Sequence, residues 1–326
     1  MYSSICATIR ACGMRAACVQ VPAYNAAMAA RVQGAAYRLP MPASQDCTGI
    51  LIWNTGSDMQ RILHQICSTA AGIPATSRAA LLTNPVDTYV AHLLDLVLSG
   101  RLDIDIASVV NSMASHGPAP LSNLAQCMVP LPTVPAEEDT CFVDTGLGPR
   151  CAVRVSNTLA PGLTVSAARV AEAAGVAHLL PDLGLAVHRQ FGPWVAFRAV
   201  LLCTGEAGVG HAPDDDASVA VHPNIYAAAA AACQAAQHAS QSARACASDP
   251  TTPDLEAGTY ALGASWTHWL AVRDALCGMG PHACAAAVPA SDVCHAWAQH
   301  RYSSALLRYH YTHDVQRLCE DLRDAS

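Results

Sequence analysis

The stretch Leu185 to Cys203, LAVHRQFGPWVAFRAVLLC, constrains the fold of this chain more than any other. It is apolar on both sides of Gly192-Pro193. Proline has no N–H to give a helix interior, and glycine before it suits a tight turn. The run therefore reads as two strands joined at Gly192-Pro193. A second strand signal lies upstream. Thr48 to Trp53 (TGILIW) is short, apolar and partly β-branched, as expected of a buried strand. Ser57 and Asp58 follow as caps of a helix that carries Ile62, Leu63 and Ile66 on one side.

Further helices can be placed by their punctuation. Leu82-Thr83-Asn84-Pro85-Val86-Asp87 offers Thr83 or Asn84 as an N-cap and Pro85 at the first helical position. Val86, Val90, Leu93, Leu94 and Val97 then share one face, and Gly100 closes the helix. Asp103 to Val110 alternates at first and reads as a strand. Residues 111 to 160 show no period and read as a long loop or small lobe. Val165 to Leu180 reads as an alanine-rich helix, and Ser265 to Leu276 and Tyr302 to Leu322 as two more. Residues 205 to 259 are of low complexity, an acidic run at Asp214-Asp215-Asp216, then an alanine helix, then a Ser/Asp/Pro/Thr stretch, and read as a partly mobile excursion from the core. No internal repeat is evident. The mixture points to an α+β fold, one domain over residues 1 to 326 with insertions near 111–160 and 205–259.

Composition excludes some classes. The net charge is -7, and a nucleic-acid binder needs a positive surface to displace counterions. Docking on an anionic membrane is disfavoured for the same reason. No window is long and apolar enough for a transmembrane helix. The chain has no lysine, so every basic side chain is a planar, permanently charged fork suited to carboxylates and phosphates. The 15 cysteines include no CxxC pair, which removes zinc-ribbon and thioredoxin readings. Most read as reduced, buried, small hydrophobes of a cytoplasmic protein. Met1 to Val19, with two arginines and no acid, also has the composition of an organellar transit peptide, a mitochondrial alternative that ranks second.

Dinucleotide-binding, P-loop, HExxH and GxSxG motifs are all absent. His310 and His313 are spaced to share a helix face, and they read more simply as exposed or capping residues. His188 reads as a structural histidine, and Trp194 as packing beneath the sheet. No metal site is expected in the protein itself.

Four segments, in order, resemble the cytosolic cobalamin-processing enzymes, the cyanocobalamin reductase / alkylcobalamin dealkylase family of the cobalamin-C type. They are Arg38-Leu39-Pro40-Met41-Pro42; Leu82 to Asp87 with Val90-Ala91-His92-Leu93; Phe191-Gly192-Pro193-Trp194-Val195-Ala196-Phe197-Arg198; and Arg301-Tyr302-Ser303 leading to Gln316-Arg317-Leu318. The resemblance spans most of residues 20 to 320. It implies a flavin-reductase (nitroreductase-like) fold, a mixed sheet flanked by helices, that holds cobalamin base-off. It implies two reactions: loss of cyanide driven by reduced FAD or FMN, and transfer of the upper alkyl group to glutathione thiolate. It also implies contact with a cobalamin-trafficking protein and a flavoprotein reductase, and a homodimer around the flavin suits such a fold.

The family grips glutathione with three arginines, and the matching positions here are Arg198, Arg273 and Arg317. An arginine fork is apt for the two carboxylates of that tripeptide. Taken one by one, each also reads as a surface ion pair, as Arg317 with Glu320. Corrin-lining positions of the family fall on Leu163, Thr164, Val165 and Ser166, and on Gly184, Ala186 and Phe197. Ordinary core packing is the competing reading for these. Gly175-Val176-Ala177 replaces three family tyrosines and Arg169 replaces a family histidine, which puts the contacts to the nucleotide tail in doubt. Two rival functions remain: a carrier that binds cobalamin without chemistry, and a flavin reductase that does not bind cobalamin.

Overall fold

The computed structural model describes residues 1–30, 38–42, 46–74, 78, 81–82, 84–116, 121–128, 141–155, 165–205, 221–246, 266–285, 296–312 and 315–324. Its framework is an antiparallel sheet of five strands in the order β1-β2-β7-β4-β3. The strands are β1 (Arg15–Gln20), β2 (Cys47–Thr55), β3 (Val143–Asp144), β4 (Arg150–Val155) and β7 (Val195–Thr204). Every residue of β2 is buried. Helices cover both faces of the strand, so it carries a continuous apolar run rather than an alternating one.

One face of the sheet, through Ile50, Ile52, Val153, Ala199 and Leu201, packs on four helices. These are α1 (Tyr2–Ala11), α3 (Gly56–Ala71), α4 (Pro85–Leu98) and α5 (Ile106–His116). The opposite face, through Leu51, Trp53, Ala152, Val200 and Leu202, packs on α2 (Val21–Ala29) and α7 (Ala167–Ala173). A third apolar cluster joins α3 to a helical lobe. That lobe contains α8 (Pro223–Cys246), α9 (Trp266–Leu276), α11 (Ser304–Thr312) and α12 (Val315–Asp324). Trp194 and Trp297 are buried at its centre. Two further short helices are α6 (Ser122–Cys127) and α10 (Gly280–Ala285).

Local chemistry explains how α3 and α4 begin. The Thr55 hydroxyl accepts from the Asp58 backbone N–H, and Asp58 Oδ2 accepts from the Thr55 N–H, a capping box. The same carboxylate oxygen takes Arg15 Nε at 2.7 Å, which ties β1 to the helix. Thr55 is thus the cap, with Asp58 as its partner three residues on, where Ser57 and Asp58 were expected. In α4 the cap is Asn84, Pro85 is the first helical residue, and Gly100 follows with φ +85°. Thr83 lies outside the described residues.

Several sequence expectations are corrected. The fold class is α+β, but the main sheet is antiparallel throughout its described pairs, not mixed. Asp103 to Val110 is not a strand. Asp105 caps α5 by accepting the Ser108 N–H at 2.8 Å, so the brief alternation is a cap followed by a helix. Residues 111 to 160 are not all loop: they supply β4, an interior strand of the sheet. The helix within Val165 to Leu180 stops at Ala173, where Gly175 turns at φ +68°, and β5 (His178–Leu180) follows.

The two strands flanking Gly192-Pro193 do not pair along their length. β6 (Leu185–Val187) pairs with β5, while β7 enters the main sheet; a single bridge, His188 to Gly192, closes the turn. Within the segment 205–259, the described helix α8 is part of the core, because it buries Ile225, Ala228, Ala229, Ala232 and Ala236 in the helical lobe. The acidic run Asp214–Asp216 lies outside the described residues. Residues 2–20 form α1 and β1. No helix among the described residues is long and apolar enough to cross a membrane.

Candidate functional site

β7 alternates its side chains between the two faces of the sheet except at Arg198, where its register against β2 slips by one residue: Ile52 pairs with Ala199 and Trp53 with Phe197, which leaves Arg198 as a bulge. Phe197 faces the α2/α7 side, and Arg198, the next residue, faces the α3/α4 side. Arg198 donates through Nε to Asn54 Oδ1 at 2.8 Å and through Nη2 to Met59 Sδ at 3.6 Å. Its Nη1 lies 3.8 Å from Asp87 Oδ1, and the side chain is only 15% exposed. Asp87 is held in turn by the amide of Asn84 at 2.9 Å. The backbone N–H of Val86 donates to Tyr309 Oη at 3.4 Å. Burial raises the Tyr309 phenol well above its ordinary range, and the carboxylate of Asp87 adds to the rise.

These contacts bring distant motifs together. The Leu82–Asp87 segment meets the Phe191–Arg198 segment through Asp87 and Arg198. Tyr302 of the C-terminal segment packs 5.7 Å from Trp194, ring to ring, and lies so close to Gly56 that any Cβ there would overlap its ring. Arg301 forks onto Asp274 with bonds of 2.8 and 3.0 Å. The guanidinium carbons of Arg273 and Arg301 lie 5.9 and 5.8 Å from the Trp194 ring centroid. The Trp194 indole donates to Cys277 Sγ at 3.2 Å.

The three candidate glutathione arginines therefore border one apolar cluster, but with different surroundings. Arg198 is held from the sheet and Arg273 stands over Trp194. Arg317 is 52% exposed and pairs with Glu320 at 3.2 Å, one turn along α12. Its neighbour Leu318 is buried in the same cluster as Trp194.

The candidate corrin-lining residues gather elsewhere. Val165 and Ala186 are buried in the α2/α7 cluster and Phe197 packs against it. Ser166 is the N-cap residue of α7. Gly184 is exposed at φ +63° with open space where a Cβ would stand. Leu163 and Thr164 lie outside the described residues. Phe197 and Arg198 thus lie on opposite faces of β7, while Gly184 stands between Leu183 and Leu185, which pack in the same cluster as Trp194.

An aromatic group at the α2/α7 face borders the same turn. Arg15 lies 4.6 Å from the Phe191 ring centroid and 5.3 Å from that of Trp53. His188 stacks between those rings at 4.7 and 5.1 Å. Its Nδ1 accepts the N–H groups of Gln190 and Phe191. Burial lowers its pKa to about 4, with Arg15 and His300 adding to the fall. His188 is therefore a neutral residue satisfied within its turn. His310 makes an edge contact with Tyr302, and His313 lies outside the described residues.

Sequence reading missed Asn54, Asp87 and Asp274 as the residues that fix arginines. It also missed Arg154 on β4, which is 1% exposed and donates through Nη1 to the Val153 carbonyl. Among the described residues its Nε and Nη2 meet no nitrogen or oxygen acceptor, and the Cys141 side chain is its polar neighbour. The signal for Asn54 and Arg154 was available: each interrupts an otherwise apolar strand, and a buried polar group needs a reason to be there.

No protein-family model matches the chain, and no curated protein is significantly similar to it.

Proposed function

We propose that this chain processes cobalamin by removing the upper axial ligand from cobalt. The observation that carries the reading is the convergence of separate motif segments on one place. Asp87, Trp194, Arg198, Asp274, Arg301, Tyr302 and Tyr309 come from four stretches of sequence and surround a single cluster. Three of these stretches are among the four on which the family resemblance rests; Asp274 lies outside them, and the fourth segment, Arg38 to Pro42, packs through Leu39 in the α2/α7 cluster instead.

In this reading cobalamin is the substrate, and cobalt provides the reactive centre. Dealkylation forms a carbon–sulfur bond from glutathione thiolate to the alkyl carbon, and the cobalt–carbon electron pair leaves with cobalt. Such a displacement needs the thiolate in line with that bond, at about 3–3.5 Å. Arg198, Arg273 and Arg317 would hold the carboxylates of glutathione. Asn54 and Asp87 would orient the Arg198 fork before the ligand arrives. Decyanation instead needs electrons from reduced FAD or FMN, delivered by a flavoprotein reductase. Val165, Ala186 and Phe197 would supply apolar surface to the corrin, and Leu163, Thr164, Ser166 and Gly184 are the other positions the resemblance assigns to it. A cytoplasmic site of action, a cobalamin-trafficking partner and a homodimer belong to the same proposal.

The opposite orientations of Phe197 and Arg198 favour a second reading, a carrier that binds cobalamin and performs no glutathione chemistry. Absorption titration with methylcobalamin separates the two. A blue shift on binding, followed by glutathione-dependent conversion to reduced or aquo cobalamin, is the outcome expected of the enzyme. Binding without conversion would establish the carrier. No spectral change would reject both and leave a flavin reductase.

A further inference from the structure

Three pairs of cysteine sulfurs are in contact among the described residues. Cys151 and Cys203 face each other across β4 and β7 at 3.5 Å, both wholly buried in the sheet. Cys6 and Cys18 lie 3.9 Å apart, with Cys6 buried. Cys67 and Cys319 differ in three respects. Their sulfurs are 2.9 Å apart, the shortest of the three separations. Both residues are half-buried, so a small oxidant has access to the pair. They also lie 252 residues apart, on α3 and α12.

A disulfide needs sulfurs about 2.05 Å apart, so a small rotation of either side chain closes the gap. Access and proximity are what thiol–disulfide exchange requires of a labile pair. α12 has reason to need a fastening. It is a ten-residue helix whose Arg317 is exposed and whose Glu320 is half-buried, and Leu318 is its one fully buried side chain among the described residues.

We propose that Cys67 and Cys319 form a reversible disulfide that fastens α12 to α3. The oxidant is a low-molecular-weight disulfide such as oxidised glutathione. One protein thiolate attacks a sulfur of the oxidant and expels a glutathione thiolate, leaving a mixed disulfide. The second protein thiolate attacks the protein-side sulfur of that mixed disulfide and expels the other glutathione. The protein gives up two electrons, and its two thiol protons end on the two reduced glutathiones. The bond fixes the helix that bears Arg317 against α3, which also carries Met59, a contact of Arg198. The crosslink itself stands or falls without the cobalamin reading.

The test equilibrates the full chain in buffers of graded reduced and oxidised glutathione. Free thiols are then alkylated and the protein is digested with trypsin without reduction. Cleavage after arginine releases Cys67 in peptide 62–78 and Cys319 in peptide 318–323, each with a single cysteine. The joined pair, two hydrogens lighter than its parts, should rise from about a tenth to about nine-tenths over a hundredfold change in the glutathione term of a two-electron couple. Its yield should not depend on protein concentration, and added dithiothreitol should reverse it. Hydrogen exchange in α12 should slow on oxidation in the native chain and not in Cys67→Ser. Recovery of both peptides as alkylated thiols, or each as a separate glutathione adduct, across the whole series would overturn the proposal.

Discussion

Gly192→Ala should destabilise the fold far more than the chemically identical change at Gly184. Both glycines are in the left-handed region, at φ +59° and +63°. For an L-residue that conformation costs about 1–2 kcal/mol. The surroundings differ. A Cβ on Gly184 meets nothing within 4 Å, whereas one on Gly192 would stand 2.6 Å from Trp297 Cγ, 2.7 Å from Cδ2 and 2.8 Å from Cβ. Trp297 has little freedom to move, because it is 2% exposed and its indole N–H donates to the Arg189 carbonyl at 2.8 Å. Overpacking of this kind costs about 1–3 kcal/mol. Gly184→Ala should therefore lose about 1–2 kcal/mol and Gly192→Ala about 2–5 kcal/mol. Urea unfolding followed by tryptophan fluorescence reads both, as lower midpoints at unchanged slope. Equal losses at the two positions would refute the reasoning, since they would show that Trp297 yields without cost.

Three further outcomes are expected. Arg317→Ala should change stability by less than about 0.5 kcal/mol, because it removes only an exposed ion pair, yet lower kcat/KM for glutathione-dependent dealkylation by an amount worth about 1–3 kcal/mol; reductive decyanation should suffer less, and equal loss of both would argue against a role in holding glutathione. Arg154→Met should raise the urea midpoint by an amount worth about 1–4 kcal/mol, as replacing a buried charge by an apolar side chain of similar size can; a fall instead would show that the guanidinium is compensated. His188 has a folded pKa of about 4, below its ordinary value of about 6.5. Between these values the unfolded chain binds the proton and the folded chain does not, so stability falls as pH falls through that window. His188→Asn, which keeps an acceptor for the turn, should flatten that part of the stability–pH curve, and an unchanged curve would place the titration elsewhere.

Much of the framework was legible in the sequence, and the reasons are physical. β2 and α4 were readable because an apolar run and a Pro-started amphipathic helix obey local rules that packing does not override. α5 was missed because four alternating residues cannot distinguish a strand from an aspartate cap. β6 pairs with β5 rather than with β7, and Trp297, more than a hundred residues away, seats on Gly192; neither contact is visible in the local pattern. The alanine helix α8 was legible as a helix, but the low complexity around it suggested an excursion, and its packing through small alanine side chains in the helical lobe was not legible. At the site, the arginines could be named from the sequence but their partners could not. Asn54 and Asp87 meet Arg198 only through the tertiary fold.

The carboxylate of Asp58 holds two pieces of the molecule at once. Its Oδ2 receives the Thr55 N–H and hydroxyl at the head of α3 and the Arg15 guanidinium at the start of β1. β1 is an edge strand, joined to the sheet through β2 alone, and edge strands open more readily than interior ones. Detaching it removes one of the two arginines on the capping carboxylate and leaves Arg61 at 3.4 Å, while fraying the first turn of α3 removes the carboxylate that anchors the strand. The edge and the helix head thus form one cooperative opening unit, whose backbone amides should exchange with solvent in a single event.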